Sequence, residues 1–131
     1  MSQSRKVLQE VGQLSVVDKL MSGSQLGLFV PDANSQTIAA GAGGAISVTT
    51  PITYISTDAG GDSFTLADGS VIGQLKTIVL VTDGGGAALI TPTNYAEGDD
   101  LTFADANDFC VLMWTGTNWR TLINVGGEVD A

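Results

Sequence analysis

The stretch Asp108–Asn124, DFCVLMWTGTNWRTLIN, decides the fold class. Phe109, Val111 and Met113 share one face of an extended strand, and Cys110, Leu112 and Trp114 share the other. β-branched and aromatic residues favour a pleated strand, and Thr115-Gly116-Thr117-Asn118 supplies the chemistry of a turn. The segment therefore reads as a hairpin, with Trp114 and Trp119 as cross-strand neighbours beside the turn. Both faces of the first arm are apolar, so a second layer or a second subunit has to cover each.

Outward from the hairpin, the rest of the chain continues in period two. AISVTT (45–50) and ITYIST (52–57) flank Pro51, which breaks a ladder and marks an edge or a junction. DAGGD (58–62) turns into SFTLADGS, where Phe64 and Leu66 alternate with Thr65 and Ala67. KTIVLVT (76–82) has the composition of a buried strand; DGGG (83–86) is a turn, AALIT (87–91) a strand and TPTNYAEGDD (91–100) a polar connection to LTFAD. FTLADG followed by IVLVTDGG parallels LTFADA followed by VLMWTGTN. Two such copies are consistent with a duplicated module, or with two uses of one β-strand vocabulary, and are too few for a solenoid.

The N-terminal third differs. In RKVLQEVGQLSVVDKLM (5–21), Val7, Val11, Leu14 and Val17 recur at helical spacing. Gly12 weakens that helix by about 1 kcal/mol relative to Ala, and Ser15 to Asp18 can open a second short helix through a capping box. The stripe suits either packing on the chain's own core or an arm that docks on another protein. Residues 22–44 read as loop, with one short strand in LGLFV before Pro31 and a flexible joint in AAGAGG (39–44). Charge divides at the same place. Residues 1–39 balance Arg5, Lys6 and Lys19 against Glu10, Asp18 and Asp32, whereas residues 40–131 set Lys76 and Arg120 against all the remaining acids and hold the whole net charge of −9. The expected division is an attachment arm and linker over 1–42 and a β-domain over 43–131.

Composition limits the function. With 131 residues the chain suits one compact domain, or a small domain plus an arm. A hydrophobic fraction of 44% and a mean hydropathy of +0.25 are high for that size, which points to apolar surface hidden by association. The acidic balance argues against nucleic acid or an anionic membrane as partner. No run resembles a signal peptide or approaches the ~20 apolar residues of a membrane span, so a soluble product of a reducing compartment is expected. Cys110 is the single cysteine, expected as a buried thiol.

Histidine is absent, which removes the commonest general base and zinc ligand. No G-x-S-x-G elbow occurs. The paired carboxylates Asp99-Asp100 and Asp105/Asp108 are the nearest thing to a glycosidase pair. They stand in polar turns, where a carboxylate is solvated and mostly binds its own backbone. DAGGD, DGGG and EGDD offer oxygen ligands but match no calcium-loop spacing, and DGGG is not followed by the Lys of a phosphate loop. Catalytic residues, metal ligands and cofactors are accordingly expected to be none. Trp114 and Trp119 suit either a sugar-stacking platform or, with Leu112, a subunit interface.

From Gly43 to Leu122 the chain resembles a module of virion proteins of tailed phages, marine ones especially. The motifs that carry the resemblance are ISVTT, DAGGD, FTLADGSVIGQLK, VTDGGG, LTFADANDF and the W-x-G-x-x-W-R close at Trp114–Arg120, in order over about two-thirds of the chain. The resemblance implies a small, non-catalytic, homotrimeric component of a virion assembled in the host cytoplasm. Head decoration (cement) proteins and fibre or knob domains are of this kind. The expected fold is all-β, a small antiparallel barrel or sandwich-like trimeric knob. Val7, Val11, Leu14 and Val17 would hold a major capsid protein or another virion protein. A tail-fibre tip that binds a receptor or host-surface glycan is the main alternative, and a glycan-cleaving enzyme a third.

Overall fold

A computed structural model describes residues 34–131. They form one compact unit, Asn34–Ala131, built from ten strands: β1 Ser35–Ile38, β2 Gly44–Ile46, β3 Ile52–Ser56, β4 Asp62–Leu66, β5 Leu75–Thr82, β6 Ala88–Pro92, β7 Asp100–Phe103, β8 Phe109–Trp114, β9 Trp119–Val125 and β10 Glu128–Asp130. The stripe Val7, Val11, Leu14 and Val17 and the LGLFV run lie outside the described residues.

The strands make two five-stranded sheets, β1-β3-β5-β8-β9 and β10-β7-β6-β4-β2. Both are mixed, and they do not close into a barrel, which corrects the antiparallel expectation and leaves the sandwich. The cause lies in the winding. From β1 to β6 the chain changes sheet at every connection, so β1, β3 and β5 run parallel in the first sheet, and β2, β4 and β6 in the second. Other strands serve as the crossovers that parallel pairing requires. These six strands thus wind like a short parallel coil, with Ser35, Ile52 and Thr77 stacked at unequal sequence spacing. β7 then reverses against β6, β8 against β5, and β9 and β10 complete the sheets. The two look-alike segments become β4–β5 and β7–β8, each a strand of the second sheet followed by one of the first.

Alternation places the core between the sheets. Ile55, Ile78, Leu80, Cys110 and Leu112 from the first sheet meet Phe64, Leu66, Ile90, Leu101 and Phe103 from the second, all essentially inaccessible to water. Each Ile, Leu and Phe among them contributes roughly 1.5–3 kcal/mol of transfer free energy before chain entropy is subtracted.

The upstream boundary also shifts. β1, inside the stretch read as loop, pairs along its whole length with β3 and buries Ile38. AAGAGG is thus a turn within the body rather than a joint between domains. Ala42 N–H closes it on Ala39 O, and Gly41 N–H donates to Asp62 Oδ2 at 3.0 Å. The Ser47–Pro51 connection is likewise shaped by Ser47, whose Oγ accepts from Thr49 and Thr50 N–H.

Candidate functional site

The hairpin of β8 and β9 forms as read. Trp114 pairs with Trp119, and Thr115 N–H donates to Asn118 O across the turn at 2.9 Å. The two indoles lie 5.5 Å apart, tilted by 60°. Trp119 is fully buried and donates through Nε1 to Ala67 O at 2.9 Å. Trp114, 6% exposed, lies so close to Gly69 that a Cβ there would stand 2.5 Å from its ring. Leu112 is fully buried. These three residues, expected at a subunit interface, are spent in the core of one chain. The two indole rings are equally withdrawn from any sugar.

The carboxylates act on the backbone. Asp58 Oδ1 accepts from Gly60 N–H, Asp62 Oδ2 from Gly41 and Asp58 N–H, and Asp83 Oδ1 from Gly85 N–H. Asp108, expected in a solvated turn, is 8% exposed; its Oδ2 accepts from Ala104 and Asp105 N–H, both at 3.0 Å. Asp100 opens β7 half-buried rather than lying in a loop, with Oδ1 lacking a hydrogen-bond partner among the described residues. No three Asp, Glu or Cys side chains converge among those residues.

One polar group escaped the sequence reading. Lys76 on β5 is fully buried, although its place two and four residues before Ile78 and Leu80 already put it on the inward face. Its Nζ donates to Thr53 Oγ1 at 2.6 Å, Thr50 O at 2.7 Å and Thr50 Oγ1 at 3.2 Å, all uncharged oxygens. Gln36 Oε1 extends the network by accepting from Thr53 Oγ1 and Ser47 N–H. Burial lowers the Lys76 pKa to about 8, opposed by the negative charge that Cys110 carries when ionised. Burial likewise pushes the free Cys110 thiol up to about 12, against a hydrogen bond from the Ile78 backbone and the charge of Lys76. A thiol held protonated is a poor nucleophile.

The outer face of the first sheet is partly accessible. Registry aligns Tyr54, Val79, Phe109 and Val125 in one row, and Ile52, Thr77, Val111 and Ile123 in the next, with Leu75 and Met113 beyond. Phe109, Val111 and Met113 are half-buried, whereas Ile123 and Val125 are 49% and 47% exposed. The second apolar face of β8 therefore exists as read, and no layer of residues 34–131 covers it fully.

No protein-family model matches the chain, and none of the curated proteins compared with it matches either.

Proposed function

We propose that this chain is a non-enzymatic structural protein of a phage particle, a capsid decoration protein that trimerises through its β-body and binds the shell through the segment before Asn34. The observation that carries the reading is how the body uses its reactive side chains. Lys76, Cys110, Trp114 and Trp119 are inside, and Asp58, Asp62, Asp83 and Asp108 brace turns. The polar chemistry goes into rigidity, which is what a clamp on a particle has to supply. The order of phage-like motifs from Ile46 to Arg120 supports the same reading, because they fall on strands and turns of this one body.

Particles lacking the protein provide the test. The full chain should bind them and raise their melting temperature, while a chain starting at Asn34 should fold but leave them undecorated. Three modest anchors joined in a trimer would act with the affinity of linked sites. Full occupancy by the shortened chain would move the anchor into the β-body. Failure of the full chain to bind any particle component would end the decoration reading.

A further inference from the structure

We propose that the outer face of the β1-β3-β5-β8-β9 sheet, with the open end of β9, is the surface through which copies of this chain associate. The proposal rests on the reading of the chain as a self-associating structural protein, and it names the surface.

Charge selects a second copy as the occupant. The body sets Lys76 and Arg120 against eleven acids, so two copies repel. Yet the five strands of this sheet, SQTI, ITYIS, LKTIVLVT, FCVLMW and WRTLINV, contain no Asp or Glu. The acids lie in loops and in the second sheet. The face is about 24 Å wide and about 20 Å long; Asp83 and Asp108 stand at the ends of β5 and β8 and Glu97 at the β9 edge, so the acids lie about 10 Å from its centre. That exceeds the ~8 Å over which salt screens charge at physiological ionic strength. Like-charged bodies can meet at this centre, with their carboxylates kept to the rim.

Arg120 adds complementarity. It is the exposed cation among the described residues, opposite Met113 on this same face. A partner with an acidic rim is what it fits, and another copy has one.

Size and edge geometry agree. A face of about 24 Å by 20 Å offers about 500 Å² per copy and about 1,000 Å² per pair, the lower limit of a specific interface. Among the described residues the edge of β9 is covered only at its start, where Trp119 exchanges backbone hydrogen bonds with Asn94 and Ala96, and Thr121 N–H donates to Glu97 Oε2. Beyond that, Leu122, Ile123 and Val125 are about half exposed, a long apolar strand edge of the kind that recruits another chain.

The test uses the full chain in sedimentation velocity over a wide concentration range, comparing Ile123→Lys/Val125→Lys with Leu89→Lys on the outer face of the second sheet. Added lysines reduce the net negative charge, so electrostatics alone would strengthen association in both. We expect Leu89→Lys to assemble like the wild type and the β9 variant to associate at least about tenfold more weakly, because burying unpaired charge is costly. Unchanged tryptophan emission will report an intact core. Should the β9 variant misfold, Arg120→Glu, on an exposed side chain, should weaken association likewise. If both variants assemble as the wild type does, this face is not the interface although self-association stands. A wild type that stays monomeric throughout overturns self-association itself, and this surface with it.

Discussion

Lys76 donates its ammonium to the Thr53 hydroxyl across 2.6 Å, in a place that water does not reach. The charge is solvated by Thr50 and Thr53 instead of being paired with a carboxylate. Since burial holds its pKa at about 8, the unfolded chain binds the proton more tightly than the folded one. Below pH 8 the ammonium is charged in both states and its burial cost is complete. Above pH 8 the folded state sheds the proton first, so stability should rise with pH, by at most about 1.4 kcal/mol per unit. Cys110 acts in the opposite sense. Its pKa of about 12 means that the folded state keeps a proton which the unfolded thiol gives up from about pH 8.5. Urea unfolding should show stability rising from pH 7.5 to about 9 and falling well above 10. In Cys110→Ala the rise should continue towards pH 10.5. In Lys76→Met it should vanish, with stability at pH 7 equal to the wild type within about 1 kcal/mol or higher, since replacing a buried charge by an apolar group of similar size is often neutral or better. A Lys76→Met variant that keeps the rise would remove Lys76 as its source.

Leu112 and Trp119 should behave as core residues. Leu112→Ala is expected to cost about 2–5 kcal/mol through lost contacts and a cavity. Trp119→Phe should lose the bond to Ala67 O and cost about 1–3 kcal/mol or more. Unfolding and light scattering on the same samples separate the roles. A loss of assembly at unchanged stability would return these residues to an interface.

Gly126 should be intolerant of any side chain. Its φ of +79° favours glycine, and a Cβ would fall 1.8 Å from Asp108 Oδ1. Gly126→Ala must displace the carboxylate that accepts from Ala104 and Asp105 N–H. We expect a loss of about 2–4 kcal/mol, strain and unpaired amides together. A midpoint within about 0.5 kcal/mol of the wild type would show that the β9–β10 turn gives way freely.

Truncation should distinguish Asn34 from Gly41. A chain starting at Asn34 keeps β1 and should unfold in one cooperative transition. One starting at Gly41 lacks Ile38 and Gln36, whose amide accepts from Ser47 N–H at 2.7 Å and Thr53 Oγ1 at 2.9 Å. It should be less stable by several kcal/mol or fail to fold, for want of a buried apolar contact and a satisfied polar network. Equal stability of the two would make β1 dispensable.

The local pieces of this protein are legible in the chain itself. Period-two alternation announces β4, and apolar runs bounded by Gly- and Asp-rich turns announce β5 and β8, because a pleat sends neighbours to opposite faces. The Thr-Gly-Thr-Asn turn closes the β8–β9 hairpin, Cys110 is a buried thiol, and aspartates beside glycines bind their own backbone, all from short-range chemistry. β1 and β10 were not legible, since SQTI and EVD lack an apolar rhythm and owe their pairing to β3 and β7. Tertiary folding sets pairing direction, because parallel partners are joined through a strand of the opposite sheet and no local signal specifies which strand returns beside which. It also decided which apolar face is spent. Both faces of β8 look alike in sequence, yet Cys110, Leu112 and Trp114 meet a second sheet, while Phe109, Val111 and Met113 look outward. Burial belongs to the surface that arrives opposite a side chain, and that surface comes from elsewhere in the chain.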